Sequence, residues 1–149
     1  MVVAAILSAI HVLTLAVGLG AVYVRGRALR QTLDEAGWRR LLAADSLWGL
    51  AATLWIVSGL GRVFFGGKDT TFYWRNGLFW SKLGLFGIVF VLELRPMMTF
   101  ISVRSALRNG SPLPAFPLPQ YQRINTAEVV LVVAIVFVAT FMARGAWMF

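Results

Sequence analysis

His11 is the single histidine of this 149-residue chain, and it stands in a stretch, Val2 to Val24, with no Asp, Glu, Lys or Arg. An imidazole in such surroundings can ligate a haem iron, relay a proton, or hydrogen-bond to a neighbouring segment. Glu93 poses the opposite problem. It lies well inside another apolar stretch, where an unpaired carboxylate costs about 2.5–3.5 kcal/mol on insertion scales. Arg95 is two residues on and points elsewhere around a helix, so Arg25, at matching depth on the first stretch, is the better partner. Asp45 and Glu128 open two further apolar stretches from the same side. The expected arrangement is an acidic layer of Asp45, Glu93 and Glu128 facing Arg25, Arg95 and Arg123. Its chemistry is either an ion-pair lock between segments or a path for a proton or cation. Lys82 precedes Glu93 by 11 residues. That spacing is about three helical turns, so the two share a face about 16 Å apart, too far for a direct pair. Lys82 and Arg62 read as cations that snorkel to the opposite interface.

The elements that must position these groups follow from composition. The chain is 59% hydrophobic and 13% charged, with a mean hydropathy of +0.77. An ordinary soluble domain is about 45–50% apolar and about 25% charged, and disorder demands the reverse bias. What remains is an integral membrane protein. Zero cysteines exclude a disulfide framework, a thiolate zinc site and an iron–sulfur cluster, and one histidine excludes a multi-His metal site within the chain.

Crossing about 30 Å of hydrocarbon takes about 20 apolar residues in a helix. Four stretches qualify: 2–24, 46–65, 78–103 and 126–143. They are too apolar all round for surface helices and too long for barrel strands, so the expected fold is an all-α four-helix membrane bundle formed by one domain, 1–149. The first stretch has no basic residues before it and reads as a retained span, not a signal peptide. His11 falls about 14 Å along it, near the midplane. Stepping by seven places Ala4, His11, Gly18 and Arg25 on one stripe, flanked by Ser8 and Thr14, and small residues there admit a close neighbour. His11 should therefore face the bundle. Without a ligand, its expected partner is Thr53 or Thr140, with Ser58 also within reach.

The loops carry the orientation signal. Nine basic residues, Arg25, Arg27, Arg30, Arg39, Arg40, Arg95, Arg104, Arg108 and Arg123, fall on the side of the first and third connections, and five, Arg62, Lys68, Arg75, Lys82 and Arg144, on the other. The positive-inside rule then puts the Arg-rich connections in the cytoplasm and both termini outside. The net charge of +8 is that signal, reinforced by anionic lipid, and calls for no nucleic acid. Residues 25–44 read as a short helical connection from which Leu33, Trp38, Leu41 and Leu42 dip into the interface. Residues 66–77 open with Gly66-Gly67 and carry an aromatic belt of Phe72, Tyr73 and Trp74. Residues 111–120 hold four prolines and read as an extended linker, either a docking segment or a stiff spacer. Pro96 should kink or end the straight part of the third span just past Glu93. Trp48 and Trp55, seven apart, read as packing or interfacial residues.

The order of several short motifs is familiar. It runs from His11 and Gly18-Leu19-Gly20 through Ala44-Asp45-Ser46-Leu47-Trp48-Gly49 to Leu54-Trp55-Ile56 and Ser58-Gly59. It continues with Leu78-Phe79-Trp80-Ser81-Lys82 and Leu92-Glu93-Leu94-Arg95-Pro96. This order resembles a family of predicted bacterial membrane proteins, the domain of unknown function twenty-two-fourteen. The resemblance spans nearly the whole chain and implies four spans and a bacterial inner membrane. A more distant resemblance is to the HemJ-type protoporphyrinogen oxidases, four-helix membrane haem proteins with a His in the first span and a Trp-Leu-x-x-Lys-type entry to the third. His11 and Lys82 occupy matching places, while Glu93 stands where that family has a second His. The resemblance implies a haem or quinone pocket around His11 and does not reach the oxidase reaction.

Three functions stay open on these grounds. One is a haem- or redox-associated membrane protein, with haem b on His11 and with Arg62 and Lys82 on its propionates. Another is a non-catalytic accessory subunit packed against a larger membrane complex, or a homo-oligomer. The third is a small proton-linked transporter using Glu93 within a buried network of Arg25, Asp45, Glu93, Arg95 and Glu128.

Overall fold

The computed structural model describes residues 2–66 and 69–146. Gly67 and Lys68, assigned above to the aromatic connection and its basic count, lie outside the described residues, as do Met1 and residues 147–149. The elements are α1 (Val2–Ala28), α2 (Glu35–Phe65), the short α3 (Thr70–Trp74), α4 (Gly77–Asn109) and α5 (Leu118–Ala143). Four of them, α1, α2, α4 and α5, are long and apolar enough to cross a membrane. Their outward faces carry exposed Val12, Leu13, Phe64, Phe90, Val91 and Phe137. In water this surface would be a liability; in a bilayer it meets its own kind of solvent, and helices satisfy the backbone internally.

The helices overrun the apolar stretches, because backbone hydrogen bonding continues through the Arg-bearing interfacial turns that hydropathy leaves out. Residues 25–44 are thus not a separate connection. They are the end of α1, a turn, and the start of α2, where Asp34 caps the helix by accepting from Gly37 N at 2.7 Å. Trp38 and Leu41 are buried there against Phe100 and Tyr121, with Leu33 and Leu42 packed alongside. The Pro-rich segment is irregular only to Pro117; Pro119 sits in the first turn of α5, where a missing N–H costs nothing. Phe116 stacks on Tyr121 at 5.3 Å and meets Trp38 edge-on, which pins the segment to the bundle. Pro96 does not end α4, which runs on to Asn109 and stops at Gly110 in the left-handed region (φ 65°) that glycine enters without strain. At the other end Asp69 caps α3, and the Thr71 N–H and hydroxyl hold its carboxyl below the usual carboxylate range. Phe72, Tyr73, Trp74, Phe79 and Trp80 form a chain of aromatic contacts beside it.

Buried positions on α1 (His11, Thr14, Gly18, Ala21, Arg25, Ala28) and on α2 (Leu41, Ala44, Trp48, Ala51, Trp55, Ser58) recur at alternating steps of three and four. This is the seam of two helices packed knobs-into-holes. Gly18 makes it tight, since a Cβ there would lie 3.3 Å from Ala51 and from the Trp48 ring. α1 also packs on α5, and α5 on α4, whereas α2 and α4 keep their backbones farther apart and meet through large side chains, Trp55 on Phe86 and Trp38 and Leu41 with Phe100 and Val103. The bundle is a ring, α2–α1–α5–α4, closed between α2 and α4 by aromatic side chains.

Candidate functional site

At the Arg-rich end all four long helices send a polar group to one point. Arg25 of α1 has 1% of its side chain exposed and is hydrogen-bonded on every N–H it owns. Its Nε donates to Asn125 Oδ1 at 2.9 Å. Nη1 donates to Asp45 Oδ1 at 3.0 Å and Glu93 Oε1 at 2.8 Å. Nη2 donates to Glu93 Oε2 at 2.9 Å and Glu128 Oε2 at 2.5 Å. The pair with Glu93 is a two-pronged fork, the strongest geometry an arginine offers a carboxylate. Glu93 Oε2 also accepts from Trp48 Nε1 at 3.0 Å, and Asp45 Oδ2 from Arg104 Nη2 at 2.8 Å.

The local sequence explains the convergence. Asn125 and Glu128 are one turn apart on α5, so both face α1. Asn125 approaches closely enough to donate to Val22 O at 3.0 Å because position 26 is glycine; a Cβ at Gly26 would collide with Asn125 Nδ2. On α4, Lys82, Glu93 and Arg104 recur every 11 residues, which returns to the same face after three turns.

The expected layer is therefore corrected in part. Arg25, Asp45, Glu93 and Glu128 come together, but Arg95 and Arg123 are exposed and take no part in the ion pairs among the described residues. Two residues from Glu93, Arg95 is turned about 200° away from it. Arg104 holds the second cationic place, and the same 11-residue step that links Lys82 to Glu93 would have found it. Asn125 and the Trp48 N–H carried no such signal, because a lone amide and a lone indole in apolar helices are common.

Two guanidinium groups against three carboxylates leave this cluster one negative charge in excess. Glu128 Oε1 is buried with no hydrogen-bond partner among the described residues. Glu93 has 18% of its side chain exposed, Glu128 none. One carboxylate thus reaches outward and the other is sealed, and both oxygens meet at a single nitrogen, Arg25 Nη2.

Toward the α3 end the polar groups are sparse. His11 is 6% exposed, and its Nδ1 lies 2.9 Å from Ser58 Oγ. Ser58, not Thr53 or Thr140, is its partner. The two threonines bond back to Gly49 O at 2.9 Å and Val136 O at 2.8 Å, as helical hydroxyls do when no better acceptor faces them. Ser58 Oγ is also 3.2 Å from Trp55 O. A carbonyl can only accept, so the serine proton goes there and His11 donates from Nδ1. That tautomer leaves the Nε2 lone pair open, as an axial haem ligand requires. The surroundings do not provide room. The ring faces Trp55 at 5.7 Å and Gly59, where a Cβ would be 3.3 Å from His11 Cε1, and the void beside Thr14, Trp48 and Trp55 is too small for one water. A porphyrin does not fit this seam as packed. Lys82 lies 6.0 Å over the Trp55 ring, and Arg62 is partly exposed one turn beyond Ser58; neither joins a carboxylate among the described residues. No group of three or more potential metal ligands occurs among the described residues.

The sequence model of the family described as Predicted membrane protein (DUF2214) matches residues 3–146. No curated protein and no solved structure matches the chain. The match covers all four long helices, and the chain belongs to this family of predicted membrane proteins.

Proposed function

We propose that this multi-pass membrane protein is a small proton-linked transporter in which Glu93 and Glu128 carry the proton. The observation behind this reading is the surplus carboxylate. A net negative charge away from water is costly, and one proton on the Glu93–Glu128 pair removes it without disturbing the Arg25 bonds. Glu93, the partly exposed one of the two, takes up the proton. Glu128, behind it on α5, is the sealed acceptor. Arg25 keeps the two carboxylates together, and Asp45 and Arg104 form the side of the cluster nearest the Arg-rich interface. We place that interface in the cytoplasm of a bacterial inner membrane, following the bias of basic residues.

Proteoliposomes with an internal pH dye and an imposed potassium diffusion potential test the reading. Wild-type protein should acidify the lumen faster than empty vesicles, and Glu128→Gln, which keeps the shape and removes the titratable group, should not. Flux unchanged by Glu128→Gln and Glu93→Gln together overturns it. Infrared spectra should show a protonated-carboxyl stretch that Glu128→Gln removes. Orientation is accessible because the chain has no cysteine: with an impermeant maleimide on intact spheroplasts, Thr71→Cys should label and Ser111→Cys should not.

Haem b on His11 is the second reading, favoured by the open Nε2 and opposed by the packed seam. A Soret band in detergent-purified protein that His11→Ala abolishes would establish it, and colourless protein after haem supplementation would exclude it. An accessory role would instead show as a larger membrane complex that copurifies in fixed ratio.

A further inference from the structure

Between α2 and α4 at the Arg-rich end lies a groove of about 570 Å³, lined by Leu42, Ile101, Arg104, Leu107 and Arg108. Its floor is apolar and its rim carries two arginines one turn apart on α4. Arg104 gives a single nitrogen to the protein: Nη2 donates to Leu42 O, Asp45 Oδ2 and Ser46 Oγ at 2.8–2.9 Å. Its Nε and Nη1 make no hydrogen bond among the described residues, and its side chain is 33% exposed. Arg108 is exposed and joins no ion pair among the described residues. Both lie just beyond the apolar part of α4, at the level where headgroups begin.

We propose that this groove binds one anionic phospholipid, its phosphate on Arg104 and Arg108 and an acyl chain along Ile101, Leu107 and Leu42. The charge is complementary at the rim, since Arg108 joins no ion pair and the only carboxylate on Arg104 among the described residues is Asp45, which it shares with Arg25. The donors are complementary as well, because Arg104 keeps N–H groups on Nη1 and Nε that make no hydrogen bond among the described residues, and the Arg108 guanidinium can offer a phosphate a two-pronged fork. A basic pocket between spanning helices at the headgroup level has the character of an anionic-lipid site. The bound headgroup would touch, from outside, the second cation of the buried cluster. The inference needs only the membrane-spanning fold and stands whether or not Glu93 and Glu128 carry protons.

Native mass spectrometry decides it. Protein in detergent is equilibrated with equal amounts of phosphatidylglycerol and phosphatidylcholine of identical chains. One phosphatidylglycerol should be retained in preference. Arg108→Gln, which breaks no ion pair among the described residues, should lower that retention about five-fold, the weight of one basic residue near a lipid surface. Arg95→Gln, on the same helix but outside the groove, should leave it unchanged. Equal retention of the two lipids, or an Arg108→Gln protein indistinguishable from wild type, overturns the proposal. So does complete displacement by millimolar glycerol phosphate, which would mark a site for soluble anions. A lipid-independent dimer that Arg108→Gln dissociates would mark a second copy as the occupant and overturn it equally.

Discussion

The two ends of the bundle handle buried polarity in opposite ways. At the Arg-rich end four helices supply one cluster, every Arg25 donor is matched, and polar bonds tie α4 to both α1 and α2. Toward the α3 end His11 is satisfied by one neutral bond inside the α1/α2 seam, and Lys82 and Arg62 approach the surface. The first arrangement cannot lose its centre without stranding charges contributed by three other helices. The second is local, and its members are replaceable one at a time. Polar groups buried in a membrane protein are thus not of one kind: their number of tethers, more than their depth, sets what each is worth to the fold.

Arg25→Leu tests that contrast most severely. It leaves three carboxylates with Arg104 as their only cation and should cost about 3–5 kcal/mol, read as a lost or strongly lowered unfolding midpoint in detergent. Glu128→Gln and Glu93→Gln should each cost far less, because removing one carboxylate leaves two acids against two arginines. The asymmetry is the informative result. Amide variants as damaging as Arg25→Leu would mean that all three carboxylates are needed charged, and would remove the basis for a carried proton.

A smaller effect should come from packing. Gly26→Ala drives a methyl into Asn125 and pushes its carbonyl away from Arg25 Nε. Overpacking of this sort costs about 1–3 kcal/mol. Combined with Asn125→Ala it should cost less than the two single changes summed, since both act on one contact. Strict additivity in detergent unfolding would show that the glycine serves helix approach alone and not the cluster.

How much of this was legible in the sequence divides along the same line. The spanning helices were, because apolar length is a property of each segment separately. So was the meeting of Arg25 with Asp45, Glu93 and Glu128, since depth along four helices is simple arithmetic and charge in a bilayer demands partners. The helix ends were not, because hydrophobicity stops at the interface while hydrogen bonding does not. The choice of Arg104 over Arg95 depends on rotation about α4, and depth alone is blind to rotation. The identity of the His11 partner depended on which hydroxyl faces α1, and Ser58 continues the buried three-four pattern of α2 while Thr53 does not.

The smallest expected effect belongs to that last pair. Ser58→Ala removes a single neutral hydrogen bond and should cost about 0.5–1.5 kcal/mol in the same unfolding assay. The cost arises because the buried His11 donor then loses the hydroxyl that receives it. Replacing both partners by apolar groups of similar size removes the unsatisfied donor as well as the bond, so His11→Leu with Ser58→Ala should recover most of the loss. Recovery in the double variant, set beside the damage from Arg25→Leu, would establish that one end of the bundle tolerates an apolar substitute and the other does not. If Ser58→Ala instead proved as damaging as Arg25→Leu, His11 would have to anchor more than its own ring. The open Nε2 would then be the place to look for what it holds.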